Sequence, residues 1–379
     1  MMRIAIVGAG PAGLYLSYLL KRRDRGTDVR VFEQNPAGAT FGFGVVFSDR
    51  ALEFLREDDA ETYDAITPSM ESWSDITLDL EGSVVQIDGV GFSAVGRLEL
   101  LQILQARARS VGVEVQFERT LGSLNEVADA DLIVGADGVN SLVRRTHEEQ
   151  FGASVGYLRN KFAWFGTSRR FETLTQTFRR NGDGAFNAHH YRYAPRMSTF
   201  IIETDADTWG RAGFASMDES STEAYLERVF EDVLGGRGLV SNKSVWRSFP
   251  IVTNAHWSAG KAVLLGDALH TAHFSIGSGT RLAMEDAISL ARAIERHPDD
   301  AGAAGRAYYA DRRPILDKLT TAANASALWY ERFAEHMKLA PLDFAMSYIT
   351  RSGRVDLDRL RAVSPRFVAA YEEQSRGRS

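Results

Sequence analysis

Three glycines in the run Gly8-Ala9-Gly10-Pro11-Ala12-Gly13, followed by a carboxylate at Glu33, are the first residues whose types and spacing could do chemistry. In G-x-G-x-x-G the first glycine permits a tight turn and the second lets a pyrophosphate approach the backbone. The third lets a helix pack closely on a strand. Backbone groups of Gly8, Gly10, Ala12 and Gly13 would then face an anion at a helix N-terminus. Glu33 stands 20 residues beyond Gly13, where a carboxylate can bind a ribose 2′-hydroxyl and would repel a 2′-phosphate. The pattern predicts a bound dinucleotide without choosing between FAD and NAD.

The elements that must position these residues follow from hydrophobic patterning. Arg3-Ile4-Ala5-Ile6-Val7 reads as a buried parallel strand, Leu14 to Arg22 as a helix, and Val29-Arg30-Val31-Phe32-Glu33 as a second strand. Arg97 to Ser110 reads as a helix, Val113 to Phe117 as an alternating strand and Asp131 to Gly135 as another buried strand. From Lys161 to Glu203 the chain is aromatic, β-branched and alternating, the signature of an antiparallel sheet, with a helix following from Ser221 to Leu234. The buried-strand style returns at Lys261 to Gly266, a helix runs from Gly279 to Arg296, and residues 303–373 are mostly helical. The expected fold is α/β. A discontinuous Rossmann-like domain (1–70, 97–155 and 255–300) is interrupted by an antiparallel-sheet substrate domain (71–96 and 156–254) and followed by a helical region, 301–379.

Two further runs bear on the cofactor. Alone, Asp137 could be a turn residue, Asp267 a helix N-cap and Arg97 half of a surface ion pair. In order along the chain, however, Asp131-Leu132-Ile133-Val134-Gly135-Ala136-Asp137-Gly138 resembles the Asp-Gly fingerprint of the single-component flavoprotein aromatic hydroxylases, the p-hydroxybenzoate hydroxylase fold. Leu264-Leu265-Gly266-Asp267-Ala268-Leu269-His270 resembles their Gly-Asp motif, continuing through Gly277-Ser278-Gly279 to Glu285-Asp286-Ala287. Gly42-Phe43-Gly44-Val45-Val46 and Arg97-Leu98-Glu99-Leu100-Leu101 match as well. The resemblance implies a tightly bound, non-covalent FAD, NADH or NADPH as transient reductant, and O₂. It implies Asp267 on the ribitol chain and Arg97 on the phosphate or adenosine region. Asp137 would assist FAD and the visiting nicotinamide, and Gly44 would join the cofactor contacts. Gly277, Gly279 and Thr280, leading a helix, would stabilise negative charge on the reduced ring. The sequence departs from the family pattern at His273 and Phe274, where a proline pair is usual, and at Gln34, where many members have arginine.

Phe41 to Asp49, Arg159 to Thr167, His189 to Tyr193 and His273 to Thr280 resemble more narrowly the salicylyl-CoA 5-hydroxylases, the 2-aminobenzoyl-CoA monooxygenases and the tryptophan-type hydroxylase of violacein biosynthesis. The implied reaction inserts one oxygen atom into an electron-rich ring through a flavin C4a-hydroperoxide, with a CoA thioester as the leading substrate. Between Arg159 and Arg196 stand eight basic residues, Arg159, Lys161 and Arg192 among them, against Glu172 and Asp183. Arginine clusters bind phosphate and carboxylate well, so Arg159, Lys161 and Arg192 are the expected substrate anchors. Alternation places His189, Tyr191 and Tyr193 on one strand face and His190 and Arg192 on the other. His189, Tyr191 and His273 are the candidate catalytic groups, while Trp164, Phe165 and Phe186 read as core.

Composition narrows the remaining classes. The 379 residues contain no cysteine, which excludes disulfides, thiolate metal ligands and a cysteine nucleophile. A net charge of -6 is the wrong sign for a dedicated nucleic-acid binder. No run approaches the roughly 20 apolar residues of a membrane span, and a metal-free, cytoplasmic monomer or homodimer is expected. Three competitors stand beside the aryl-CoA hydroxylase: a hydroxylase of a free indole or anthranilate-like aromatic, a flavin-binding protein without turnover, and an NAD-dependent dehydrogenase. The last leaves the Asp137 and Asp267 motifs unexplained.

Overall fold

A computed structural model describes residues 2–48 and 52–377; Asp49 lies outside the described residues. Five parallel strands and one antiparallel edge form a sheet in the order Ser258–Ala259, Ala262–Leu264, Leu132–Gly135, Arg3–Val7, Asp28–Phe32, Val115–Gln116. The central strand is apolar on both faces because helices cover both: Ile4, Ala5 and Ile6 are completely buried. The helix Pro11–Arg23 starts with proline inside its first turn, where the missing N–H costs nothing. It packs against Gly279–Arg296 and Arg97–Ser110. The last two helices begin and end where the sequence pattern places them, whereas the strand expected over Val113–Phe117 shortens to Val115–Gln116 at the sheet edge.

A second, eight-stranded sheet is mainly antiparallel. Its order is Leu239–Val240, Ala153–Thr167, Met197–Thr204, Ala185–Ala194, Leu174–Arg180, Ile76–Leu80, Ser83–Ile87, with Arg247–Asn254 pairing the lower half of Ala153–Thr167. Its two faces differ. Ala163, Phe165, Phe186, Ala188, Phe200 and Ile202 face one side and form a core with the helix Glu219–Val229 and its neighbours. On the other face the register aligns Gln176 with His189, Asn187 with Glu203, and His189 with Ile201. This near face mixes those polar groups with Leu174, Phe178 and Tyr191, which pack against the C-terminal helices. A small sheet of Gly44–Ser48, Phe92–Gly96 and Glu71–Trp73 bridges the two large ones.

The C-terminal helices are not an appendage. Trp329, Tyr330, Phe333, Phe344 and Tyr348 share one apolar cluster with Ile76, Leu78, Leu174 and Phe178 of the second sheet. Among the described residues no helix is long and apolar enough to cross a membrane.

Candidate active site

Each glycine of the first motif has the surroundings its position demands. Gly8 has φ +102°, and a Cβ there would lie 2.4 Å from the Ala136 carbonyl oxygen. A Cβ on Gly13 would lie 2.0 Å from the Gly8 carbonyl oxygen, so strand and helix approach only because the side chain is absent. At Gly10 nothing stands within 4 Å of that position: the loop is open where a pyrophosphate must come in. Ala12 packs its methyl 3.2 Å from the equivalent position on Gly266, joining this loop to the Gly-Asp run. Glu33 accepts from the Ala9 amide at 2.8 Å and from Asn35 through its amide (2.9 Å) and side chain (2.7 Å), which fixes the carboxylate at the rim of the cradle.

Asp137 accepts from the amides of Leu142 (2.6 Å) and Val143 (3.4 Å) with Oδ2, while Oδ1 is buried with no partner. Burial raises its pKa. Asp267 caps nothing; it is exposed, yet so much protein surrounds it that desolvation raises its pKa against the pull of His270 and Arg97. A side chain that is both solvent-accessible and encircled lines a cleft. Arg97 is half-buried nearby, its guanidinium without a hydrogen bond or ion pair among the described residues, and desolvation lowers its pKa. The helix Gly279–Arg296 opens beside this cleft with no side-chain cap on its first amides, and Thr280 stands in its first turn. Gly277, one turn earlier, leaves room for Val46, whose Cγ1 would be 2.9 Å from a Cβ. An open phosphate turn, an unpaired arginine, an orphaned Asp137 oxygen and uncapped helix amides fit FAD. Gly44 has a different occupation: Thr199 Oγ1 accepts from its amide at 2.8 Å and Tyr191 OH donates to its carbonyl at 3.0 Å. It fastens the bridging sheet to the second sheet.

The near face of the second sheet meets the 273–280 loop over a polar patch that is almost wholly buried. Gln176 Nε2, Asn187 Oδ1, both ring nitrogens of His189, Glu203 Oε2 and Tyr330 OH have no hydrogen-bond partner. Buried polar groups are normally paired, and this patch concentrates several that are not. Glu203 Oε1 accepts from Asn160 Nδ2 at 2.8 Å, and burial pushes its pKa up to about 8, so this carboxyl is neutral at pH 7. Burial, and then the cation of Arg351, push His189 down to about 3. His273 is likewise pushed down to about 3, and its ring sits among Phe274 (4.2 Å between centroids), Phe249 (4.8 Å) and Tyr330 (5.8 Å). Phe162 lies 5.1 Å from Phe274 and completes an aromatic wall.

The structure therefore brings His189 and His273 together and gives other sequence candidates structural work. Tyr191 spends its hydroxyl on Gly44, and burial raises its pKa further. Arg192, expected to bind substrate, is 9% exposed and saturated internally. It donates to Glu71 (2.6 Å), Phe171 and Glu172 carbonyls (2.8 and 2.9 Å) and the Ser72 carbonyl (2.9 Å). Alternation carried it to the far side of the strand from His189. Lys161 donates to Ser248 Oγ at 2.9 Å. Arg159 is exposed, its side chain free of hydrogen bonds and ion pairs among the described residues, and the next residue is Asn160, which touches Glu203. Phe165 and Phe186 are core, as expected, but Trp164 faces Gly42, its ring 3.0 Å from where a Cβ would stand. Gln176, Asn187, Glu203 and Tyr330 escaped the sequence reading. No spacing marks them: Leu174 and Phe178 flank Gln176 on its strand face, Ile201 precedes Glu203 on its own, and Tyr330 ends a helix.

Comparison with known proteins is consistent with this geometry. The family described as FAD binding domain matches residues 1–323. Salicyloyl-CoA 5-hydroxylase from a Streptomyces species is 40% identical over 93% of this chain and 70% of its own length. A 3-hydroxy-4-methyl-anthranilyl-[aryl-carrier protein] 5-monooxygenase from Streptosporangium sibiricum is 34% identical over 93% of this chain and 95% of its own. Among solved structures, PqsL, a probable FAD-dependent monooxygenase from Pseudomonas aeruginosa, superposes with a TM-score of 0.68 at 20% identity, covering 92% of this chain and all of its own.

Proposed function

The chain belongs to the FAD binding domain family and is an FAD-dependent monooxygenase of aromatic rings; from that premise we propose that its substrate is an aryl thioester, salicylyl-CoA or a close aryl-CoA. The observation that carries this reading is the orphaned polar patch of Gln176, Asn187, His189, Glu203 and Tyr330, walled by aromatic rings, with the unpaired cation of Arg159 at its edge. The membership leaves neither a flavin-binding protein without turnover nor a dehydrogenase using the first motif alone.

The cradle residues Gly8, Gly10, Ala12, Gly13, Glu33, Arg97, Asp137, Asp267, Gly277, Gly279 and Thr280 are proposed to hold FAD. Held there, the flavin would supply the redox chemistry of the reaction, with NADH or NADPH as reductant and O₂ as the source of the inserted oxygen atom. The chain's own residues orient the ring and keep water away. Phe162, Phe249 and Phe274 hold an aromatic ring by its faces and edges. Neutral Glu203 can donate a proton in a hydrogen bond from Oε2 while Asn160 holds Oε1. Helix amides at Gly279 and Thr280 favour negative charge on the cofactor ring. Arg159, with Lys161 beside it, is the proposed rim contact for the phosphates of coenzyme A.

The test follows NADH and NADPH oxidation by the FAD-loaded protein with salicylyl-CoA, 2-aminobenzoyl-CoA, salicylate and tryptophan offered separately, products being identified by mass. Stimulation by a CoA thioester with one oxygen added is expected. Arg159→Glu should raise KM for the thioester about tenfold, the worth of one charge-assisted contact. A second reading, a free aromatic as substrate, draws support from Arg192, whose internal saturation removes one expected phosphate contact. Stimulation by salicylate or tryptophan alone would establish it.

A further inference from the structure

Arg351 can only donate hydrogen bonds, and that orients every hydroxyl between it and His273. It stands just after the helix Pro341–Thr350. Its Nε donates to Ser326 Oγ at 2.9 Å. Ser326 Oγ lies 2.8 Å from Ser275 Oγ, which lies 2.8 Å from His273 Nδ1. Ser326 is completely buried, and among the described residues the one acceptor for its hydroxyl hydrogen is Ser275 Oγ. The Ser275 hydroxyl then has His273 Nδ1 as its remaining acceptor. Running the chain the other way, with His273 Nδ1 donating, would leave the Ser326 hydrogen buried with no acceptor. The backbone amide of Ser275 approaches the same Nδ1 at 3.4 Å, a second donor on an atom that therefore carries no hydrogen. Arg351 is itself held: Nη1 donates to the Tyr348 carbonyl (2.7 Å), Nη2 to the Ser275 carbonyl (2.8 Å), and its plane lies 3.8 Å from the Tyr348 ring centre.

We propose that the Arg351–Ser326–Ser275 chain locks His273 as its neutral Nε2–H tautomer, making it a hydrogen-bond donor to the carbonyl oxygen of the bound aryl thioester instead of a base toward the ring substituent. The substrate half of this statement rests on the aryl-thioester reading above; the tautomer half stands on the hydrogen-bond geometry alone. The nearby Arg351 cation and the burial of the ring both disfavour an imidazolium. Nε2 has no partner among the described residues and sits within the aromatic wall of Phe249, Phe274 and Tyr330. His189, by contrast, has neither nitrogen bonded, so nothing fixes its tautomer. A carbonyl oxygen only accepts, so a donor fixed in this way recognises it and disfavours an amine in the same position. Arg351, Ser326 and Ser275 are positioning residues, acting through His273.

The experiment is ¹⁵N NMR of the FAD-loaded protein labelled at histidine, with the His273 signal among the eight histidines assigned by its loss in His273→Gln. A neutral Nε2–H ring at pH 7 is expected in the wild type. Ser326→Ala and Ser275→Ala should each shift it toward the Nδ1–H form, with no further change in the double variant. KM for the aryl thioester should rise about tenfold in each while kcat changes less, the loss of about one oriented hydrogen bond. An Nδ1–H or imidazolium ring in the wild type overturns the proposal, as does an unchanged signal in either alanine variant that folds. Two variants break the chain at different links, so misfolding of one leaves the other to decide. If no aryl thioester is turned over while the ring is Nε2–H and responds to the serines, the substrate assignment fails and the tautomer lock stands.

Discussion

Glu203 carries its proton into the pH range where free carboxylates have long lost theirs, and that has a sign that can be measured. Its pKa is pushed up to about 8 by burial, with Glu331 adding to the effect. Between the ordinary value of about 4.5 and 8 the unfolded chain has released this proton while the native chain retains it. Stability therefore falls by up to about 1.4 kcal/mol per pH unit across that window as far as this group is concerned. Glu203→Gln keeps the acceptor for Asn160 and removes the titration. Thermal melts should show the variant gaining on wild type at pH 8 and matching it near pH 5; an equal difference at both pH values would contradict the assignment. A second residue-scale prediction concerns Asp267, which is accessible in the cleft and unpaired by any cap. Asp267→Ala should leave the fold intact and weaken FAD retention about tenfold to a hundredfold, the worth of a hydrogen bond to a charged group. Flavin release on dilution, followed by fluorescence, measures it. Asp267 was readable from its motif; Glu203 was not, because a lone Glu in a strand looks the same whether it faces water or a closed pocket.

At the scale of elements, the Gly-Asp loop is held by the helix that follows it. Asp286 on Gly279–Arg296 accepts from His270 Nε2 at 2.7 Å, from Arg312 Nε at 2.7 Å and from the Gly266 amide at 3.2 Å. Burial alone would raise its pKa, but His270 and Arg312 hold it below the ordinary value. One carboxylate thus ties the loop carrying Asp267 to its own helix and to the next, Ala301–Tyr330. Asp286→Ala strips buried Arg312 of one of its two carboxylates, leaving it Glu285 at 2.8 Å, and frees the Gly266 amide and His270, so it should cost about 1–3 kcal/mol. Urea denaturation would report the midpoint shift, and FAD should be lost with it. Gly13→Ala acts on the other side of the cradle, where the new methyl meets the Gly8 carbonyl. Glu285-Asp286-Ala287 was visible in the sequence as part of a motif; that Asp286 serves the loop and not the ligand depends on the helix folding back under it.

Across the whole molecule, the C-terminal helices connect the eight-stranded sheet to the 273–280 loop. Glu331 accepts from the backbone amides of Arg159 and Asn160, each at 2.8 Å, and Tyr330 offers its carbonyl to Asn160 Nδ2 at 2.8 Å. Glu331→Ala leaves two amides at the pocket edge without their acceptor and should cost about 1–3 kcal/mol. Faster hydrogen exchange of those amides, together with a raised KM and unchanged FAD affinity, is the expected outcome. Loss of flavin instead would place Glu331's effect in the cradle. The division into a discontinuous dinucleotide domain, a sheet domain and a helical region remains our proposal for how the chain is organised. The shared core of Trp329, Phe333 and Phe344 with Leu78 and Phe178 makes the last two packed partners.

What the sequence alone determined is whatever is local in space as well as in order. The glycine turn, the Asp137 and Asp267 motifs, and the long helices Arg97–Ser110 and Gly279–Arg296 each depend on residues within a turn or two of one another. Strand alternation likewise separated His189 and Tyr191 from His190 and Arg192. Tertiary structure alone decided which of those faces gathers the unpaired polar groups, that Arg192 is consumed by Glu71 and three carbonyls, and that Gly44 is a fastening point. It also decided that a loop arginine more than seventy residues from His273 governs that ring's hydrogen bonding. The physical reason is that a polar side chain's role is set by the partners left to it after burial. Those partners come from strands and helices whose proximity no local spacing encodes.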